Sequence, residues 1–187
     1  GSADERPAPL EFTKTKTEEV LALLDKEVSG EAKKERDVAV RALIGALVDY
    51  DDLARRSLGK HWDERSPEEQ TEYRSLFREL VELTYIDRLG TKKPDANYKI
   101  EWDSERIEGE QGHAICWILY EDTETELEFI FRPNGSSWLI HDLLMDGASL
   151  EDTYKRKYSD TIEKEGYTQL VQKMKDRIAE LKGNSSP

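Results

Sequence analysis

Tyr50-Asp51-Asp52-Leu53-Ala54-Arg55-Arg56-Ser57-Leu58-Gly59-Lys60-His61-Trp62, followed by Ser66-Pro67-Glu68-Glu69-Gln70 and then Thr84-Tyr85, is the stretch on which the reading of this chain turns. It carries no chemistry of its own. Asp51 or Asp52 can cap a short helix, and Gly59 ends it, because glycine adopts a left-handed conformation at a helix C-terminus without a Cβ clash. Ser66-Pro67-Glu68-Glu69 is then a complete helix start. The serine oxygen accepts from first-turn amides, proline fills the first helical position, where an N–H would be unpaired anyway, and Glu69 reaches back to the cap. Behind it Tyr73, Leu76, Phe77, Leu80, Val81 and Thr84 recur at helical spacing.

Working outward toward the N-terminus, residues 1–13 read as a disordered leader containing Pro7 and Pro9, with Gly1-Ser2 as an expression scar. The start has neither a basic region nor an apolar core, so any export signal is expected to lie upstream of it. Thr15 or Thr17 caps a first helix with Val20, Leu21, Leu24 and Val28 as its apolar stripe, and Gly30 breaks it. A second helix is predicted from Glu31 to Val48, on Val40, Leu43, Ile44, Leu47 and Val48.

After Gly90 the period changes from helical to two. Tyr98, Ile100 and Trp102 alternate with Lys99, Glu101 and Asp103. In Gly112–Tyr120, Ala114, Cys116, Ile118 and Tyr120 share one face, and Ile115, Trp117 and Leu119 the other. Leu127, Phe129 and Phe131 alternate with Glu126, Glu128 and Ile130. Asn134-Gly135 signals a hairpin, and Trp138–Met145 is the fourth strand. Ser149-Leu150-Glu151-Asp152 then opens a helix that ends at Gly166, and Thr168 caps the last one, with Leu170, Val171, Met174, Ile178 and Leu181 on its stripe. Gly183 begins a frayed tail to residue 187. The order of helices, four strands and two helices predicts an α+β fold, with helices on one face of a curved antiparallel sheet. Residues 14–182 form a single domain on this reading.

Composition narrows the function. With 28 basic and 41 acidic residues the formal charge is −13. Such a surface repels nucleic acid and anionic membranes. Residues 101–128 hold ten acids against Arg106 alone. They read as solvated strand faces and hairpin tips, or as a docking face for a basic partner. Cys116 is the only cysteine, so neither an intrachain disulfide nor a thiolate zinc site can be built. No apolar run has the length of a membrane span.

Catalytic sets are missing from the pattern. His61, His113 and His141 lack the spacing of a metal motif. There is no phosphate-cradling glycine loop and no Gly-x-Ser-x-Gly. Cys116 reads as core. Asp142 is the one candidate for a buried acid, on a strand face expected to carry Trp138, Ile140 and Leu144; the simpler reading is a carboxylate bonded to backbone amides or a helix start. What remains is apolar and aromatic, and the same periodicity fits a filled core or the wall of a cavity.

The opening stretch, together with Trp138-Leu139-Ile140-His141-Asp142, Gly147-Ala148-Ser149-Leu150, Tyr154-Lys155-Arg156-Lys157-Tyr158 and Gly166 followed by Leu170, resembles the MlaC or toluene-tolerance family of periplasmic phospholipid carriers. The likeness covers residues 15–182. Lys155, Lys157 and Tyr158 stand where the family usually has arginine, glutamine and phenylalanine, and the strand tips are unusually acidic. The resemblance implies an NTF2-like cone, a four-stranded sheet and helices enclosing an apolar cavity. It further implies a monomeric periplasmic carrier, with no catalytic residue, metal or cofactor. Its cargo would be a diacyl phospholipid. Its partners would be an inner-membrane ABC transporter with an MCE-domain subunit and an outer-membrane lipoprotein complex, in the maintenance of outer-membrane lipid asymmetry.

On that resemblance the cavity wall is expected at Leu58, Leu80, Leu83, Tyr85, Ile100, Trp102, Ile118, Phe129, Phe131, Leu143 and Tyr154, with the hydroxyls of Tyr85 and Tyr154 near its mouth. Two other readings stay open: a small-ligand binder or enzyme on a similar scaffold, centred on Asp142, and an interaction adaptor with a filled core.

Overall fold

Ser66 does what its position predicts. Its hydroxyl accepts from the Glu69 amide at 3.1 Å, and the Glu69 carboxylate accepts from the Ser66 amide at 2.9 Å, closing the capping box at the start of α4 (Pro67–Val81). The computed structural model describes residues 5–91 and 97–183. The expectations for Gly1-Ser2 and for residues 184–187 lie outside the described residues. By its contacts the chain divides into two units. Among the described residues, one comprises 5–27, 42–49 and 97–150, and the other 28–41, 50–91 and 151–183.

The first unit is a sheet with a helix on it. Its strands are β1 (Tyr98–Glu108), β2 (Gln111–Tyr120), β3 (Thr123–Asn134), β4 (Ser137–Met145) and β5 (Ala148–Ser149), antiparallel in that order. There are five strands, not four, and the sheet does not close on itself. The fifth strand follows from Asp146-Gly147, a two-residue hairpin loop in which both residues have positive φ, 49° and 84°. That is the conformation such a tight turn demands, and Asp-Gly is among the dipeptides that adopt it most readily.

Helix α1 (Pro9–Leu24) begins before the expected Thr15 cap, so part of the stretch read as a leader is ordered. No side chain caps it locally. Its start is set by distant groups instead. The Glu105 carboxylate accepts from the Leu10 amide at 2.8 Å, and Trp138 Nε1 donates to the Pro7 carbonyl at 2.8 Å. Phe12 meets Phe131 edge to face at 5.4 Å, within a core of Phe12, Leu47, Ala114, Phe131 and Trp138. Gly112 is required by this packing: a Cβ there would lie 2.8 Å from the Pro9 side chain. Helix α2 (Gly30–Gly45) stops short of Val48, which instead makes a parallel bridge to Ile140 on β4, with the Ile140 amide donating to the Leu47 carbonyl at 2.7 Å.

The second unit is helical. It contains α2 up to Arg41, α3 (Tyr50–Leu58) with a 3-10 turn at Gly59–His61, α4, the short α5 (Asp87–Leu89), α6 (Leu150–Glu165) from Glu151 on, and α7 (Tyr167–Gly183). Gly183 is thus the last residue of a helix rather than the first of a tail. The stripe predicted for α7 is buried at Leu170, Val171, Met174, Ile178 and Leu181. Between α4 and α5 the chain makes a π-helical turn at Glu82–Ile86, which the periodicity did not signal.

Candidate functional site

Of the eleven residues expected to line a cavity, six are in the sheet unit: Ile100, Trp102, Ile118, Phe129, Phe131 and Leu143. The strand register puts all six on one face. Ile100 opposes Ile118, Trp102 opposes Cys116, Ala114 opposes Phe129, and Phe129 opposes Leu143. Helix α1 covers part of that face, through Phe12 on Phe131 and through Lys14, whose ammonium lies 5.9 Å from the Trp102 ring centre. Phe131 is therefore fully buried in packed core, while the other five are half-buried.

Two irregularities in register decide what else this face carries. One lies between Trp102 and Ser104 and one between Ile130 and Phe131. The second inserts His141 between partners, so that Ile140 pairs with Phe131 and Asp142 with Ile130. Neighbouring residues of a strand point to opposite faces. Asp142 is thus on the face opposite Ile140 and Trp138, contrary to plain alternation, and shares its face with Leu144. Its carboxylate is buried, and it accepts from the Leu143 amide at 2.8 Å and from the Ser149 hydroxyl at 2.5 Å. This carboxylate ties β4 to β5.

Cys116 is buried on the apolar face, and burial pushes its thiol up from 9.0 to about 11. The folded pKa lies above the unfolded one, so this group's contribution to stability is complete below pH 9 and is lost as pH rises toward 11. Chemical denaturation between those values should show a falling stability that Cys116→Ala flattens, and alkylation of the folded protein near neutral pH should be slow. Rapid alkylation without unfolding would show that the thiol is accessible.

Four of the other five residues, Leu58, Leu80, Leu83 and Tyr154, are buried in the helical unit, and Tyr85 is half-buried on the π-turn. The same unit holds an aromatic cluster that includes Tyr154. Phe77 meets Tyr154 at 5.3 Å and Tyr73 at 5.9 Å, and Tyr154 meets Tyr158 at 5.3 Å. The hydroxyls of Tyr73 and Tyr154 are satisfied inside the unit. Ser57 Oγ donates to the Ala54 carbonyl at 2.6 Å, which uses its only proton, so the Tyr73 hydroxyl donates to Ser57 at 2.5 Å. Tyr85 and Tyr154 are hydrogen-bonded to each other; burial, and then Tyr85, push the Tyr154 hydroxyl well up.

The quoted motifs acquire a physical reason here. Gly59, at φ +53°, sits under the Lys155 chain, and a Cβ would lie 2.9 Å from Lys155 Cε. Arg56 joins Asp52, at 2.9 Å, to Glu151 at the start of α6. Tyr154 and Tyr158, one helical turn apart, both enter the core. The sequence reading missed a buried network around the π-turn. Arg41 grips Asp87 with two bonds of 2.8 and 2.6 Å, and the buried Glu82 lies between Arg41 and Arg78, at 3.7 and 3.6 Å. The helical pattern does not signal it, because regular spacing puts Glu82 on the side opposite Tyr73, Phe77 and Leu80.

An open cleft of about 340 Å³ on the sheet unit is lined by residues 6–9, Glu105, Arg106, Ile107 and Trp138. A diacyl phospholipid needs space of roughly 1,000 Å³, so this cleft is not a lipid cavity. Among the described residues no helix is long and apolar enough to cross a membrane, and no three side chains form a metal cluster.

Comparison with solved structures finds the same fold in the phospholipid-binding protein of Ralstonia solanacearum, determined in complex with a phospholipid. The TM-score is 0.77 at 21% identity, over 94% of this chain and 99% of that one. No match was found among curated proteins. The family model described as MlaC protein matches residues 14–176, nearly the whole span of ordered elements from α1 into α7, and the chain belongs to the MlaC family.

Proposed function

We propose that this protein is a carrier of diacyl phospholipid and not an enzyme. The reading is carried by its membership of a family in which a protein of the same fold holds a phospholipid. The half-buried apolar face at Ile100, Trp102, Ile118, Phe129 and Leu143 supports it, as does an Asp142 committed to structural bonds. The acyl chains lie against that sheet face.

The energetics suit a shuttle. Each buried methylene is worth about 0.8 kcal/mol against water, so two chains of roughly thirty methylenes gain on the order of 20 kcal/mol. A bilayer offers the lipid a similar gain. Net transfer is near balance, and direction comes from partners. On the resemblance these are an inner-membrane ABC transporter with an MCE-domain subunit and an outer-membrane lipoprotein complex, with the protein monomeric in the periplasm between them and needing no cofactor.

The test is native mass spectrometry of protein purified without detergent, followed by solvent extraction and lipid analysis. A discrete adduct of phospholipid mass, released by solvent, is expected. A protein that stays free of lipid after incubation with liposomes would remove the carrier reading.

A further inference from the structure

The sheet face opposite α1 has no part in the proposed lipid site, and its composition is unusual. Along its centre β2 presents Ile115, Trp117 and Leu119, all half-buried. The register flanks each of them. Trp117 lies directly between Glu101 and Glu126, Ile115 between Ser104 and Glu128, and Leu119 between Lys99 and Glu124. Opposed residues stand about 5 Å apart at Cβ, so the indole is bracketed by two carboxylates. A third fixes it, because Trp117 Nε1 donates to the Asp103 carboxylate at 2.9 Å. The ring is pre-set, with its N–H already used.

The charges around this stripe are not balanced. Arg106 is taken up by Glu108, at 2.7 Å, and by Glu128. Among the described residues no cation pairs with Glu101, Glu124 or Glu126, although Glu126 is half-buried. An indole face with flanking carboxylates is the chemistry that holds a guanidinium or ammonium, through cation–π attraction and charge-assisted bonds together. Apolar neighbours on either side add area for the stem of such a side chain.

We propose that this acid-flanked Trp117 stripe is a docking surface for a protein partner that presents lysine or arginine side chains interleaved with apolar ones. Charge complementarity selects this occupant. Nucleic acid and anionic membrane are repelled by the same carboxylates. The inference goes beyond lipid carriage and does not depend on it, since cargo and partner use opposite faces.

The experiment uses the full chain, 15N-labelled, titrated with an alternating Lys-Leu decapeptide, with the Gln-Leu decapeptide as the uncharged control. Shifts are expected at the Trp117 indole and at residues 115–119 and 124–128, with none from the control peptide. Binding should weaken about tenfold in E101K/E126K and in the neutral E101Q/E126Q, but not in E18K/E35K, whose glutamates are exposed elsewhere. It should vanish at about 0.5 M salt. Lipid content by extraction should be equal in all variants. Equal weakening by the distant E18K/E35K pair would reduce the effect to net charge and overturn the proposal. So would self-association of the unliganded chain that E101K/E126K abolishes, since the occupant would then be a second copy. Loss of lipid in the well-folded variants would instead count against the separation of faces.

Discussion

Replacing Phe77 by alanine is expected to destabilise the protein by about 3–5 kcal/mol. The ring is completely buried and makes aromatic contacts with Tyr73 and Tyr154. Truncation removes the transfer energy of the ring and leaves a cavity whose walls are themselves large rings on α4 and α6. These cannot collapse inward without breaking the Ser57–Tyr73 hydrogen bond. A domain of this size has about 5–15 kcal/mol in all, so the variant should unfold at much lower denaturant. Val38→Ala is the control: Val38 is 67% exposed and should shift stability by no more than about 0.5 kcal/mol. A cost for Phe77→Ala near that of the control would mean that the cluster is loosely packed and able to refill the space.

The second large effect is on cargo. Ile118→Asp should abolish lipid retention while leaving a folded protein. Ile118 is half-buried on the face it shares with Ile100, Trp102 and Phe129. In the lipid-free protein a carboxylate there can still reach water. With acyl chains laid over it, it would be desolvated beside groups that cannot hydrogen-bond, a cost of several kcal/mol. Lipid per protein, measured after extraction, should fall by about tenfold or more. Leu119→Asp is the matched control, one residue along and on the opposite face, and should keep its lipid. Circular dichroism shows whether both variants remain folded. Undiminished lipid in Ile118→Asp would remove the acyl chains from this face.

Much of the architecture was legible because it is local. The Ser66 capping box, the glycine stops at Gly59 and Gly166, and the alternation along β2 each follow from a few neighbouring residues. Asp146-Gly147 is equally legible as a hairpin signal and leads to the fifth strand, but only Gly147 enters the sequence reading, as the start of Gly147-Ala148-Ser149-Leu150. The six sheet residues expected to line the site do share one face, since an intact alternation over β2 fixes the parity of its neighbours. Helix α1 was placed too late because nothing near Pro9 caps it. Glu105, Phe131 and Trp138, about a hundred residues away, set its start.

The sequence by itself determined where α4 opens, where α3 and α6 stop, which stretches form the four long strands, and that no common catalytic or metal pattern is present. These depend on backbone preferences and on a side-chain period that is exhausted within a turn or a strand. Only the tertiary structure decided the rest. It placed the bulge at His141 that turns Asp142 away from Ile140, because one extra residue reverses every following side chain. It placed the π-turn that carries Tyr85 and the buried Glu82 between two arginines. It also set Trp117 between Glu101 and Glu126. Pairing of this kind joins residues far apart in the chain, and register, unlike period, is fixed only when strands and helices meet.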